Sequence, residues 1–328
     1  MPASFDGNDG NDGNAANAGG GGNATSISAG WFFADRVNLP RVTEPDTGPN
    51  AVPPQTIGQL TIIPDIARFP NRNWSADWYS WLALNDFVAT GWNAINPSGP
   101  PPGIPVALYN PINPWMWPAW VPVPTVPPAP PPVPSWSALS AANPGIVQTE
   151  IEGLVTAAAN ERADALGEIL SESNEFISYF LNMMTARPGA YPATTRVLTI
   201  ASLVGTFVAM YYKNLYARPR ASQLCPALLP PIEVPGHASF PSGHSTQAHL
   251  MALCMFDVFN GLPQQNTVVD DLWTLADRIA RNREIAGLHY ASDTAAGEAF
   301  AYWIYHLLNS GGQANYLQAV AAANGEWQ

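Results

Sequence analysis

The stretch that decides the fold is residues 194–216, TTRVLTIASLVGTFVAMYYKNLY, in which apolar residues recur at three- and four-residue spacing. This spacing predicts one α-helix with an extensive apolar surface. Its most apolar part, from Leu198 to Tyr212, is roughly fifteen residues long, which is short for a membrane span and typical of a buried helix. The helix runs into a basic segment that begins at Lys213, the single lysine of the chain.

The same periodicity recurs on both sides of this helix. It predicts further helices over residues 146–172, 175–186, 244–259, 267–286, 294–309 and 314–323. Clusters of Gly, Pro and Asn separate these segments, and no alternating run is long enough to predict a strand. We therefore expect an all-α fold in which residues 141–328 form a helical bundle that carries the catalytic residues.

The first 140 residues have a different composition. Residues 1–30 are rich in Gly and Asn and predict a flexible tail. The Asp-Gly-Asn repeat within them suggests calcium ligands, but no Glu closes a loop and no helix flanks it. Residues 31–140 are rich in Pro and Trp, with one helix expected between Trp74 and Trp92.

Residues 96–135 are too rich in proline for a helix or a central strand. We expect an irregular arm that packs on the core or reaches a second subunit to form a homo-oligomer. Recognition as a proline-rich ligand is a further alternative.

Composition excludes some function classes. The net charge of −12 and the pI of about 4.6 disfavour nucleic acid as a partner. The N-terminus lacks the basic and apolar regions of a signal peptide. With no segment that predicts a membrane span, we expect a soluble protein without a membrane partner, in a compartment that the sequence does not define. Cys225 and Cys254 lack metal-site spacing, and whether they pair is left open.

Three polar segments, over residues 213–220, 241–244 and 283–293, predict a site for a tetrahedral oxyanion. Ser242 and Gly243 lie where a loop enters a helix, so that backbone N–H groups and the helix dipole face an anion. Lys213, Arg220 and Arg283 would add positive charge, and guanidinium groups bind oxyanions with two hydrogen bonds.

The second and third segments also supply imidazoles. His289 and Asp293 are four residues apart and share a face if they are helical, so the carboxylate would orient the ring. His244 follows Gly243 and would act as a general acid or base.

Together these segments resemble the signature of the type 2 phosphatidic acid phosphatase and vanadium haloperoxidase superfamily: Lys-x6-Arg-Pro, Pro-Ser-Gly-His and Ser-Arg-x5-His-x3-Asp. The residues that carry it are Lys213, Arg220, Pro241, Ser242, Gly243, His244, Arg283, His289 and Asp293. Ala221 and Asn282 depart from the pattern, replacing a proline and a serine. Arg218 leaves a second candidate arginine, although the spacing favours Arg220. The resemblance covers roughly residues 150–310.

The resemblance implies a role for each residue. The three basic side chains, the Ser242 hydroxyl and the Gly243 amide would hold the equatorial oxygens of the anion. His289 would be the nucleophile of a phosphatase, which needs no cofactor, or the ligand of vanadium in a haloperoxidase, which needs vanadate. His244 would protonate the leaving group or act on peroxide, and Asp293 would orient His289.

His237 decides which of the two reactions we expect. A histidine seven residues before His244 resembles the haloperoxidases that oxidise bromide or iodide with hydrogen peroxide. Met210 stands where an aromatic residue is expected in that class, which argues against it. The sequence therefore predicts a vanadium-dependent haloperoxidase in which His237 assists catalysis, with a soluble acid phosphatase that acts on small phosphoesters as the alternative.

A third alternative is a non-catalytic protein that binds oxyanions or assembles through the Pro/Trp-rich arm. The two histidines and Asp293 disfavour it. We interpret His249 and His306 as structural, because neither has a ligand or catalytic partner at a suitable spacing.

Overall fold

The structure is a computed structural model that describes residues 74–92, 144–173, 175–309 and 311–328. The tail over residues 1–30 and most of the expected arm lie outside these residues. In the described part all regular elements are helices, as the sequence predicts. They are α1 (Ala76–Ala89), α2 (Pro144–Asn160), α3 (Arg162–Glu172), α4 (Ile177–Met183), α5 (Pro192–Tyr216), α6 (Ala221–Leu224), a 3-10 turn (Pro226–Leu228), α7 (Gly243–Val258), α8 (Gln265–Ile285), α9 (Ala291–Leu308) and α10 (Ala314–Gly325).

Helix α7 forms the centre of the bundle. Its apolar residues surround the whole helix, from Ala248 and Met251 to Leu253 and Met255, and nearly all of its side chains are buried. A helix that is apolar on every side must be covered on every side. Helices α5, α8 and α9 pack against it and provide that cover. The first turn of α7, which carries Gly243 and His244, is thereby held inside the bundle.

Small residues let α7 and its neighbours approach closely. Gly297 of α9 lies against the start of α7, where an added Cβ atom would come within 2.7 Å of the Ser242 carbonyl oxygen and of the Ser245 Cβ atom. Gly205 of α5 faces Gln247 in the same way, at 3.1 Å. These contacts fix the first turns of α7 relative to two other helices.

Helix α1 confirms the helix expected between Trp74 and Trp92. Ser75 caps its N-terminus by accepting from the Trp78 amide. Its buried residues include Tyr79, Ala83 and Phe87, which join the main core and pack against α5. At least this part of the Pro/Trp-rich region therefore belongs to the core that contains α5 and α7.

The sequence predicts one continuous helix over residues 146–172, but the structure has two helices there, separated at one residue. The backbone of Glu161, with φ of −118°, separates α2 from α3. The next residue, Arg162, donates to the carbonyl oxygens of Leu228 and Ile285 at 2.7 and 2.9 Å. These bonds are long-range in sequence, so periodicity alone does not reveal them.

Helix α5 is longer than its most apolar run. In the part of the chain that the structure describes, the helical stretch Pro192–Leu224 is long and apolar enough to cross a bilayer, and 67% of its apolar window is buried within the fold. The core helix of a water-soluble protein meets the same criterion. The run of about fifteen apolar residues does not indicate a span, whereas the helix meets this criterion by length and composition, so its length does not decide solubility.

We predict that Gly297→Ala lowers the free energy of unfolding by roughly 1–3 kcal/mol, because the added methyl group overpacks the contact between α7 and α9. Urea unfolding followed by circular dichroism measures the loss. Gly153→Ala is the matched control, since Gly153 lies within α2 with no heavy atom near an added Cβ. It should stabilise the protein by about 0.5–1 kcal/mol. Equal effects of the two changes would contradict this interpretation.

Candidate active site

Three chain turns bring the polar segments together. Helix α5 ends at Tyr216, and Ala217 takes a left-handed conformation with φ of 49° that redirects the chain toward Arg220. The second segment enters α7 with Ser242 as the N-cap. The third follows α8, where Gly287, with φ of 78°, turns the chain toward His289 at the start of α9.

The His289 ring is held from both sides. Its Nδ1 lies 3.2 Å from Oδ2 of Asp293, and its Nε2 lies 2.9 Å from Nη1 of Arg220. Because a guanidinium group only donates, Nε2 carries the lone pair and Nδ1 carries the proton. The expected pairing of His289 with Asp293 is present, and the exposed fraction of the His289 residue is 2%.

Burial and the charge of Arg220 lower the pKa of His289 well below its usual value. The hydrogen bond to Asp293 acts in the opposite direction and is outweighed, while the charge of Lys213 lowers the pKa further. The imidazole is therefore neutral at neutral pH, in the form that presents a lone pair at Nε2.

Arg218, which the sequence offered only as an alternative to Arg220, belongs to the same cluster. It is fully buried, and its Nη1 donates to Oδ1 of Asp293 at 2.7 Å while its Nη2 donates to Oε2 of Glu150 at 2.9 Å. Burial acts to raise the pKa of Asp293, but Arg218, His289 and Ser239 outweigh it and hold that pKa below its usual range. Arg218 thus keeps the carboxylate ionised, and Arg220 is the arginine that contacts His289.

Lys213 lies where the end of α5 meets the loop before α7. Its Nζ donates to the carbonyl oxygens of Ala238 and Ser239, each at 3.0 Å, and its exposed fraction is 1%. Its charge lowers the pKa of His289, so the ammonium group and the ring are close in space.

Ser242 and Gly243 lie at the start of α7, next to the first turn of α9. The Ser242 amide donates to the Asp293 carbonyl oxygen at 3.0 Å, which joins the start of α7 to the first turn of α9. The Ser242 hydroxyl accepts from the Ser245 amide at 3.3 Å as an N-cap. Gly243 is the first residue of α7, where backbone N–H groups lack helical partners.

Arg283 approaches from α8. Its Nη2 donates to Oε2 of Glu172 at 3.1 Å and to the carbonyl oxygen of Ile169 at 3.0 Å. The backbone carbonyl of Arg283 also accepts from the His289 amide at 3.4 Å, so this arginine and the ring belong to one turn. Glu172 was not identified from the sequence, because nothing in its spacing relates it to the three segments.

The two other histidines occupy different places. His244 donates through Nε2 to the Glu172 carbonyl oxygen at 3.2 Å, and its ring packs on Phe176 with centroids 5.1 Å apart. His237 is half-buried, and its Nδ1 lies 2.9 Å from Nη2 of Arg220. The single guanidinium of Arg220 therefore contacts both His237 and His289.

The remaining candidates lie outside this cluster. His249 pairs with Asp277 across α7 and α8, at 3.1 Å, as a structural contact. Cys225 and Cys254 are free thiols, half-buried and buried respectively.

We predict that Arg218→Ala costs roughly 3–5 kcal/mol of the free energy of unfolding, because it leaves the Asp293 carboxylate buried without a cation. Urea unfolding at pH 7 measures the loss. The control is Arg278→Ala, which removes an ion pair to Glu168 from a side chain that is 65% exposed. That pair should contribute less than about 1 kcal/mol. If the free energy of unfolding falls no more in Arg218→Ala than in the control, the buried Asp293 carboxylate does not need Arg218 for its stability.

Comparison with known proteins links the segment that contains this cluster to one family. Residues 193–315 match the sequence model of the PAP2 superfamily, and all three polar segments lie within that range. No curated protein matches the chain. Among solved structures, the chain is similar to one described as the first transmembrane PAP2 type phosphatidylglycerolphosphate phosphatase from Bacillus subtilis, with 15% sequence identity. The alignment covers 52% of this chain and 84% of that chain, with a TM-score of 0.32.

Proposed function

We propose that the chain is a phosphatase-type hydrolase that cleaves a small phosphomonoester through a phosphohistidine at His289. The observation that carries the proposal is the orientation of that ring, with Nδ1 at 3.2 Å from Asp293 and Nε2 at 2.9 Å from Arg220. A neutral imidazole whose proton is fixed at Nδ1 is a nucleophile at Nε2. When the anion binds, Arg220 would shift its hydrogen bond from that nitrogen to a phosphoryl oxygen, which frees the Nε2 lone pair to attack phosphorus.

In the first half of the reaction, Nε2 of His289 attacks phosphorus and the bond to the ester oxygen breaks. His244 supplies the proton that the leaving oxygen takes. Because Nε2 of His244 donates to a carbonyl oxygen, which only accepts, the transferable proton is at Nδ1. In the second half, water attacks phosphorus, its proton passes to Nδ1 of His244, and the P–N bond breaks to release phosphate and restore His289.

Lys213, Arg220 and Arg283 would neutralise the equatorial oxygens as charge accumulates on them. The Ser242 hydroxyl and the Gly243 amide would complete the cradle. These groups are buried, so their interaction with the transition state is stronger than it would be in water. Asp293 would stabilise the positive charge that develops on His289.

The sequence predicts peroxidase activity first and phosphatase activity second, and we reverse that order. The family that matches residues 193–315 is named after a phosphatase. The contacts at His289 and His244 also supply a nucleophile and an acid without any further group. We propose a small, soluble phosphoester as the substrate and neither nucleic acid nor a lipid surface as a partner.

The second candidate is the vanadium-dependent haloperoxidase, and the contact between His237 and Arg220 favours it. A second imidazole 2.9 Å from the anion-binding guanidinium is suited to bind peroxide or halide beside it. The donor set fits vanadate, since His289 presents a lone pair at Nε2 among buried cations. When bound, vanadate would activate hydrogen peroxide toward bromide or iodide. His289 would hold it, and Lys213, Arg220 and Arg283 would balance its charge.

A paired assay on one metal-free preparation distinguishes the two reactions. One portion receives p-nitrophenyl phosphate without vanadate, and the other receives vanadate, hydrogen peroxide and bromide or iodide. We predict phosphate release that vanadate inhibits, and a loss of at least about a thousandfold in kcat for His289→Ala. His306→Ala is the control, because His306 lies late in α9, away from the cluster, and should retain full activity.

Halide oxidation that depends on vanadate and on His289, without phosphate release, would establish the second candidate. It would also make His237→Ala the next variant, with an expected loss of peroxidase turnover at unchanged fold. If neither reaction rises above the His289→Ala background, both proposals fail and the alternative of a non-catalytic oxyanion-binding protein gains support.

A further inference from the structure

Glu172 connects two groups of the candidate site. It is the last residue of α3, and its exposed fraction is 1%. Its carboxylate accepts from Nη2 of Arg283 at 3.1 Å, and its backbone carbonyl accepts from Nε2 of His244 at 3.2 Å. One residue thus positions both an anion-binding guanidinium and the candidate acid.

Polar side chains of α8 contact the Glu172 carboxylate. Asn282 donates its Nδ2 to Oε1 of Glu172 at 2.9 Å, next to Arg283 on the same helix. Glu168, one turn earlier in α3, shares the Asn282 amide at 3.0 Å and pairs with the exposed Arg278. Asn282 stands where the family signature has a serine, so this arrangement distinguishes the chain from that signature.

The carboxylate competes with any oxyanion for Arg283. An ionised Glu172 already balances the charge of this guanidinium, and it repels a dianion that approaches from the other side. A protonated Glu172 would leave the positive charge of Arg283 to the bound anion, while its carbonyl would still hold His244. The affinity of the site for anions should therefore depend on one buried proton.

We propose that Glu172 is a positioning residue whose charge sets the pH range in which the site binds a dianionic oxyanion. The inference rests on the proposed function, because it assumes that Arg283 is an anion ligand. Glu172 lies outside the three polar segments and outside residues 193–315, so neither the motif nor the family model includes it.

The pKa of Glu172 supports this geometry. Burial raises it to about 7, against the lowering effects of Arg283 and Asn282, with a further small rise from Glu168. Below this pH the carboxyl group is neutral and the anion is bound tightly. Above it the group is ionised and affinity falls, and a bound dianion in turn raises the pKa of Glu172.

Sulfate tests the inference, because it stays a dianion across the whole range and its own titration does not interfere. Calorimetry of the full chain from pH 5.5 to 8.5 should show sulfate affinity falling by roughly tenfold as pH rises through the neutral range. In Glu172→Gln the slope should vanish, with affinity at pH 8.5 close to the wild-type value at pH 5.5. Glu168→Gln is the matched control, since Glu168 is on the same helix and pairs with the exposed Arg278. It should keep the wild-type fall in affinity, with a midpoint at slightly lower pH, because the Glu168 charge raises the pKa of Glu172.

Asn282→Ala provides a second test that keeps the Glu172–Arg283 pair. Loss of the Asn282 hydrogen bond should raise the pKa of Glu172, so the fall in affinity should begin at higher pH. Sulfate binding with the same pH dependence in wild type and Glu172→Gln overturns the role of Glu172 and leaves the oxyanion site intact. No sulfate binding at any pH overturns both the site and this inference.

Discussion

The carboxylate of Asp293 is buried without solvent contact and is the common acceptor for groups from every polar segment. Oδ1 accepts from Arg218, and Oδ2 accepts from the Ser239 hydroxyl, from His289 and from the Tyr290 amide. A buried charge is tolerated only when hydrogen bonds and an opposite charge compensate it. Here that compensation requires α5, the loop before α7 and the start of α9 to meet at one point.

This requirement explains why so many charges lie inside one small bundle. Arg218 is held by Asp293 and Glu150, and Arg283 is held by Glu172, so each pair offsets its own desolvation cost. Lys213 and Arg220 contact carbonyl oxygens and imidazoles. Arg218 holds the framework in place, while Arg283, although paired with Glu172, is with Lys213 and Arg220 one of the cations that we propose as anion ligands.

The helices were largely predictable because their apolar spacing reflects burial. The prediction over residues 294–309 matches α9 closely, and that over residues 314–323 matches α10. The break at Glu161 was not predictable, since the contacts of Arg162 involve residues far away in sequence. At the site, motif spacing identified Arg220 and His289, while Glu150 and Glu172 were missed because only tertiary packing relates them to the motifs.

The hydrogen bond from the Ser242 amide to the Asp293 carbonyl oxygen has a consequence for how the molecule unfolds. It joins the start of α7 to the first turn of α9. One turn later in α9, Gly297 packs closely against the same part of α7. His289 and the Ser242–Gly243 turn therefore lie on elements that are tied to each other. We expect heat to separate these two helices in one cooperative step, without an intermediate in which only one of them keeps its place.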